Sequence, residues 1–192
     1  MAEEDVKMNE ENENNAAGTS LIQTTQTRVQ DLFGGAFKIG KFPATYRDIS
    51  DLVPVNDNQE VFSDVNESNP AYSGNQLIIE ILERTEKEDV EAIEYNFKDL
   101  AETQGGIEPH ILSQQHFTSG VQVKQVMPNV CIIGCQQTLH LLKGTQKIFP
   151  TKKTHDTERD FVTMLMCLLR LKEPFNTDIL ITLNVPDKYS DD

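Results

Sequence analysis

Three residues in the middle of the chain carry side chains that could bind a metal or act in catalysis. Cys131 and Cys135 are four positions apart, and His140 follows five positions later. Thiolates and imidazoles bind zinc, and a thiol activated by an imidazole is a nucleophile. In an extended strand, Cys131 and Cys135 would lie roughly 13 Å apart, and His140 would face the opposite side from Cys135. The spacing therefore favours cysteines of the core over a zinc site or a catalytic pair.

The other histidines and the glycine motif give no catalytic arrangement either. His110, His116 and His155 lie in polar, loop-like segments without paired ligand spacing. The motif Phe33-Gly34-Gly35-Ala36 lacks the third glycine and the Lys-Ser/Thr pair of phosphate-binding loops, so it predicts a turn or a bulge. We expect no metal, no cofactor and no enzymatic activity. An enzyme that uses Cys135 or His140 would need a solvent-reachable thiol of lowered pKa.

Length and charge restrict the class of protein and the class of partner. The chain has 192 residues, enough for one compact domain and a tail, and its net charge is −14. Such a surface repels nucleic acid and anionic lipid and suits a basic protein. No apolar run approaches the roughly 18 residues of a membrane span, and the N-terminus shows no signal peptide. We expect a cytosolic or nuclear protein whose three cysteines are reduced.

Acidic and basic residues are segregated along the chain. Residues 48–102 contain 15 acidic residues and three basic ones, whereas residues 111–153 contain five lysines and no acid. Solvated helix surfaces explain part of the acidic excess. The block DISDLVPVNDNQEVF, residues 48–62, instead mixes carboxylates, amides and apolar residues without regular alternation. Such a mixture is typical of a contact surface.

The elements that would position this block are predicted from periodicity and composition. Residues 1–30 are rich in Glu, Asn, Gln and Thr, which predicts a disordered acidic tail before a domain spanning 31–192. Residues 63–75 predict an exposed loop, and QLIIEILE at 76–83 predicts a strand. A capping box at Thr85–Glu88 and the spacing of apolar residues predict an amphipathic helix that ends before Gly105. Its apolar positions are Val90, Ile93, Phe97 and Leu100.

The second half of the chain predicts mainly strands. The segments VQVKQV from Val121, CIIGCQQTLHLLKG, FVTMLMCLLRLK and DILITLNVP are all β-like, and the last two form a predicted hairpin. Several strands, one clear helix and no βαβ series indicate the α+β class, with an antiparallel sheet flanked by helices.

Three stretches together resemble the Ran guanine nucleotide release factor family, also called the Mog family. These are LFGGAF with DISDLVPVNDNQEVF, then QLIIEILE with the acidic helix, then LLRLKEPFNTDILITLNVP. The resemblance covers about residues 31–186. It implies a Mog- and PsbP-like antiparallel sheet of about six strands flanked by helices. Members of that family usually continue past Asn-x-Pro into a further C-terminal helix, so we expect this domain to lack that helix.

The resemblance also implies a partner, an activity and a binding surface. Its members bind the small GTPase Ran and promote nucleotide release in support of nuclear transport. Carried over to this sequence, the partner-binding surface falls on Asp48, Ser50, Asp51, Asp57, Gln59 and Glu60. Phe33, Gly34, Leu52, Val61 and Phe62 match as well, and we interpret them as core or turn residues. Two positions depart from the family pattern. Val53 stands where the family often has arginine, and Asn56 stands where it usually has proline.

We therefore expect a Ran-binding release factor that is a monomer and occurs in the nucleus and the cytoplasm. A carboxylate of Asp57 or Glu60 is our candidate for competing with the nucleotide for its cations. The alternative is an adaptor that binds Ran or another basic protein without accelerating release.

Overall fold

The computed structural model describes residues 26–65, 74–128, 135–148 and 160–186. Within these ranges the chain forms nine strands, two α-helices and one turn of 3-10 helix at Phe33–Gly35. The strands are β1 (Thr27–Leu32), β2 (Phe37–Pro43), β3 (Tyr46–Asp48), β4 (Gln59–Asp64), β5 (Gln76–Glu83), β6 (Ile107–Phe117), β7 (Gln137–Ile148), β8 (Asp160–Leu171) and β9 (Thr177–Pro186). The helices are α1 (Asp89–Thr103) and α2 (Gly120–Val126).

Seven of these strands form one antiparallel sheet. Their order is β3-β4-β5-β9-β8-β7-β6, and β1 and β2 pair as a separate two-stranded hairpin. The predicted α+β class, with an antiparallel sheet flanked by helices, is confirmed. The sheet has seven strands where the sequence predicted about six. The predicted late hairpin is also confirmed, since β8 pairs with the whole length of β9 from Val162 to Leu171.

The helix α1 covers one face of the sheet. Ile93 and Phe97 of α1 are fully buried against alternate residues of the central strands, such as Met164 and Leu168. Phe97 packs over Gly144 of β7, where an added Cβ atom would lie 2.6 Å from the phenyl ring. A glycine in the middle of this strand therefore lets the helix approach the sheet closely.

The β1–β2 hairpin and α2 cover the opposite face at one end. Phe42 of the hairpin stacks edge-on against Phe62 of β4, with ring centroids 4.8 Å apart. Val123 of α2 is buried in the same cluster, together with Leu139 and Leu169. The sheet thus separates two apolar cores, and β4 contributes to this second one through Phe62.

A buried arginine fixes the start of α1 to the sheet. Arg170 of β8 is fully buried, and its guanidinium donates to Asp178 at 3.1 Å and to Asp89 at 3.0 Å. It also donates to the backbone oxygen of Thr85 at 2.6 Å. A buried charge needs such partners, because desolvating it alone would cost several kcal/mol or more. The network therefore fixes the position of the connection between β5 and α1.

Two predicted elements are corrected by the structure. The segment VQVKQV, predicted as a strand, lies in the helix α2. Ser119 caps that helix by accepting from the backbone N–H of Gln122, whose side chain accepts in return from the backbone N–H of Ser119, and this outweighs the alternating valines. The surroundings of His110 and His116, described from sequence as polar and loop-like, belong to the edge strand β6 (Ile107–Phe117), because an edge strand with both surfaces largely exposed tolerates polar residues.

Two predicted boundaries also change. The strand β1 begins at Thr27, inside the segment assigned to the tail, because Arg28 donates to the backbone oxygens of Ala44 and Tyr46. The helix α1 has Glu88 as its N-cap without a side-chain capping bond, so the predicted capping box does not form. The part of the predicted tail at residues 1–25 lies outside the described residues.

Candidate functional site

Four residues of the predicted partner-binding surface lie on or beside one loop. Asp48 ends β3, and Ser50, Asp51 and Asp57 follow in the loop of residues 49–58, which we call the acidic loop. All four side chains are exposed. The structure therefore brings these predicted residues together on a single surface.

The start of the acidic loop has a defined turn. The carboxylate of Asp48 accepts from the backbone N–H of Ser50 at 2.8 Å. The backbone oxygen of Ile49 accepts from both Leu52 at 2.9 Å and Val53 at 3.1 Å. An aspartate that bonds the backbone two residues later is a usual way to stabilise a turn. The side chain of Asp48 is thus engaged in shaping the loop.

The end of the acidic loop is attached to β5. Asn58 donates its side-chain amide to the backbone oxygen of Ile81 at 3.1 Å, and Ile81 donates its N–H to the backbone oxygen of Asn58 at 2.9 Å. The carboxylates of Asp51 and Asp57 make no hydrogen bond or ion pair with any described residue. These two carboxylates are therefore available to a partner.

Gln59 faces the α1 side of the sheet and is part of the fold. Its side-chain amide donates a short hydrogen bond to the carboxylate of Glu80, which is buried on the neighbouring strand. Burial raises the pKa of Glu80, and the hydrogen bond from Gln59 offsets part of that increase. Gln59 therefore satisfies a buried acid and does not share the exposed surface of the acidic loop.

Glu60 points to the opposite face and connects β4 to the hairpin. Its carboxylate accepts a short hydrogen bond from the backbone N–H of Phe33. Phe33 and Gly34 both have positive φ, 50° and 65°, which is the turn that the glycine motif predicts. Glu60 is half-buried, so its charge is less accessible than those of Asp51 and Asp57.

The acidic loop shares one end of the molecule with the start of α1. The strand β5, to which Asn58 is bonded, continues to Glu83, and Arg84 donates its N–H to Asn176 in the turn between β8 and β9. Glu86 and Glu88 are exposed beside this point. Arg84 and Lys172 both contact Asp89, at 2.9 Å and 3.6 Å, and Lys87 is exposed between the two glutamates. The exposed carboxylates at this end outnumber these three cations, and they are Asp48, Asp51, Asp57, Glu86 and Glu88. This end therefore presents an excess of negative charge.

The apolar residues matched by the resemblance differ in their environment. Phe62 is fully buried, as predicted for a core residue. Leu52, also interpreted as a core or turn residue, lies in the turn but is 80% exposed, and Val53 is 44% exposed. Sequence reasoning missed this exposed pair, although the run Asp-Leu-Val-Pro within an acidic segment is a signal that could have indicated it.

The cysteines and histidines considered for catalysis lie in different surroundings. Cys135 and Cys167 are free thiols that pack against the core cluster on the hairpin side, and burial raises the pKa of Cys167 to about 12. His140 is fully buried on the α1 side and lies 3.0 Å from His116, ring nitrogen to ring nitrogen. Cys131 and His155 lie outside the described residues.

Burial, together with the neighbouring His116, lowers the pKa of His140 to about 4. His140 thus stays neutral inside the fold at neutral pH. In the described ranges no group of three or more His, Cys, Asp or Glu residues could hold a metal ion. Neither α1 nor α2, the helices of the described part, has the length and apolar content needed to cross a membrane.

Comparison with known proteins gives a consistent result. The family model of the Ran-interacting Mog1 protein matches residues 30–186. The Ran guanine nucleotide release factor of Bos taurus is 34% identical over 165 residues, covering 83% of this chain and 76% of the relative. The Homo sapiens protein of the same name is 35% identical over 161 residues with the same coverage.

Solved structures show the same fold. The Ran-binding protein Mog1p of Saccharomyces cerevisiae, a crystal structure, aligns with a TM-score of 0.56 and 23% identity. That alignment covers 86% of this chain and 79% of the yeast chain. A mutant of Mog1 with one glutamate replaced by alanine aligns with a TM-score of 0.57. From the family match and these relatives, the chain belongs to the family of Ran-interacting Mog1 proteins.

Proposed function

We propose that this chain binds the small GTPase Ran and promotes release of its guanine nucleotide, without catalysing a covalent reaction. The observation that carries the proposal is the acidic loop, whose exposed carboxylates occupy the positions that the family resemblance assigns to partner binding. Relatives with the name of Ran guanine nucleotide release factor support the same activity. We further propose that the protein acts in the nucleus and the cytoplasm in support of nucleocytoplasmic transport.

The proposed mechanism is competition for the cations that hold the nucleotide. GTPases hold the phosphates chiefly through Mg²⁺ and a lysine, so a carboxylate that approaches these cations weakens nucleotide binding. Asp57 is the stronger candidate for this carboxylate, because it is exposed and makes no hydrogen bond or ion pair with another described residue. Glu60 is the second candidate, and it would first have to leave the N–H of Phe33.

The negative charge at this end of the molecule favours association with Ran as well as the proposed competition for cations. The acidic loop and the start of α1 put carboxylates from two segments on one end of the molecule. Opposite charges on two proteins raise the association rate, and they exclude partners of the same sign. The proposed partner therefore presents a basic surface to this end of the protein.

The test is a titration of Ran with the wild-type protein and two variants of equal charge change. We expect Asp57→Asn to weaken binding by about tenfold, the scale of one close charge pair at an interface. The matched control is Glu102→Gln, at the far end of α1, roughly 20 Å away along the helix. It removes the same charge and should change affinity by less than about twofold, because an exposed charge at that distance is screened by salt.

Equal losses in the two variants would mean that only net charge matters, and the assignment of the site to the acidic loop would be wrong. Wild-type protein that is folded and does not bind Ran would refute the proposed function itself. An adaptor without release activity is the alternative function, and it gives the same titration. Nucleotide dissociation separates the two.

A further inference from the structure

The most exposed large apolar side chain of the described residues is Leu52, in the acidic loop. It is 80% exposed, and the neighbouring Val53 is 44% exposed. A single exposed leucine is ordinary on a protein surface, so exposure by itself indicates little. Its position between Asp51 and Pro54, in the segment where the family resemblance locates the partner, makes it informative.

The backbone holds Leu52 in a defined position. Ile49 is half-buried and donates its N–H to the backbone oxygen of Val61 at 3.1 Å, which attaches the turn to β4. Leu52 and Val53 then both donate to the backbone oxygen of Ile49. A backbone segment that is already ordered before binding loses less conformational entropy on binding, which favours affinity at the side chain it carries.

The surroundings of Leu52 have the organisation of an interface centre. Asp48, Asp51 and Asp57 are exposed on or beside the same loop and would supply a charged rim. Interfaces commonly have an apolar centre that is fully desolvated and a polar rim that stays partly hydrated. A few central side chains then provide most of the binding free energy.

We propose that Leu52 is the apolar anchor of the Ran interface and inserts into an apolar pocket with a basic rim on the GTPase. This inference rests on the proposed function and adds the residue that provides affinity, whereas the carboxylates provide orientation and act on the nucleotide. Val53 contacts the edge of the same pocket.

The experiment compares Leu52→Ala with a matched surface leucine. Leu112 is 57% exposed on the edge strand β6, within the stretch of the chain that contains no acidic residue. We expect Leu52→Ala to weaken the binding of Ran by about tenfold or more, as for a central interface residue. Leu112→Ala should stay within about twofold of wild type. Leu52→Met should recover most of the affinity, because it restores apolar volume.

The salt dependence of binding distinguishes the apolar contact of Leu52 from the charged contacts of the surrounding carboxylates. The loss caused by Leu52→Ala should be the same factor at about 50 and about 300 mM salt, since an apolar contact is not screened. The loss caused by Asp57→Asn should shrink as salt rises. Thermal unfolding of the free variants checks that each is folded, and Leu52→Gln gives a second test that retains side-chain length.

The outcomes distinguish this inference from the proposed function. Binding by wild type, with Leu52→Ala and Leu52→Gln both within twofold, would overturn the anchor and leave the proposed function standing. A loss for Leu52→Ala that equals the loss for Leu112→Ala would also overturn it. No binding by the folded wild-type protein would refute the proposed function, and the anchor with it.

Discussion

Adjacent residues of β4, Gln59 and Glu60, show why a predicted binding residue can have a structural task. Gln59 bonds the buried Glu80, and Glu60 bonds the N–H of Phe33 in the hairpin turn. Removing either side chain would change the fold locally as well as the surface. Binding data for these two positions therefore need a measurement of stability beside them.

We predict that Glu60→Ala lowers the free energy of unfolding by about 1 kcal/mol, because the N–H of Phe33 loses its acceptor. Glu60→Gln keeps an acceptor oxygen at the same place and should stay close to wild type. Chemical denaturation of both variants measures the difference. Equal stability of the two variants would show that the bond to Phe33 does not stabilise the fold.

If Glu60→Gln is stable and still binds Ran less tightly, then the charge of Glu60 acts directly on the partner. If it is stable and binds normally, Asp57 remains the single candidate for competing with the cations of the nucleotide.

The buried His140 makes stability depend on pH. Its pKa is lowered to about 4 by burial and by His116, whereas an ordinary histidine titrates near 6.5. As pH falls below about 6.5, the unfolded chain takes up a proton that the folded chain accepts only near pH 4. The stability contributed by the neutral histidine is thus present above pH 6.5 and is lost as pH falls toward 4.

We predict that the free energy of unfolding of His140→Gln falls less between pH 6.5 and pH 4 than that of wild type. The difference should be on the order of 2 kcal/mol. The matched control is His110→Gln, an exposed histidine on the same edge strand as His116. Unfolding free energies from pH 4 to 7 give both slopes. A His140→Gln profile parallel to that of wild type would mean that other groups, such as Asp89 beside Arg170, dominate the acid response.

At the level of elements, the sequence predicted the segments with strong periodicity and missed those with weak periodicity. The strands β5, β8 and β9 and the helix α1 have dense apolar patterns, and each was recognised. The edge strand β6 was missed because its side chains are mostly polar and exposed, and its pairing with β7 is a long-range property. The valines of α2 alternate like a strand, but only Val123 is buried.

The sequence predicted which residues belong to the candidate site, but it did not predict the contacts of their side chains. The grouping of Asp48, Ser50, Asp51 and Asp57 follows from their proximity in the chain, and the structure shows all four exposed. The partners of Gln59 and Glu60 come from β5 and from the turn after β1, which no local pattern reveals. The sequence alone indicated a core or turn residue at Leu52, and its exposure depends on the turn formed by Ile49.

The contact between α1 and the sheet gives a prediction at this scale. An added Cβ atom at Gly144 would lie 2.6 Å from the ring of Phe97 and 3.0 Å from the backbone oxygen of His110. We therefore predict that Gly144→Ala lowers the free energy of unfolding by about 1–3 kcal/mol through overpacking. Gly40→Ala is the control, because an added Cβ atom there meets nothing within 4 Å.

Denaturation curves for the two glycine variants measure this contact. A Gly144→Ala protein as stable as the Gly40→Ala protein would mean that α1 can move away from β7 at little cost.

At the scale of the whole molecule, charge segregation is the feature that sequence and structure share most directly. Part of the acidic excess between residues 48 and 102, in the acidic loop and at Glu86 and Glu88, lies at one end of the molecule, because the acidic loop is bonded to β5 and β5 leads into α1. The sheet below provides a rigid support for this end. A binding site on a rigid support loses less conformational entropy when the partner binds.

The most direct test of the account is the dissociation of a fluorescent guanine nucleotide from purified Ran, with and without this protein, near physiological salt. We predict that wild-type protein accelerates dissociation, and that Asp57→Asn at saturating concentration accelerates it about tenfold less or not at all. The Glu102→Gln protein should act like wild type. Bound wild-type protein that leaves the dissociation rate unchanged would contradict the release activity and identify the chain as an adaptor.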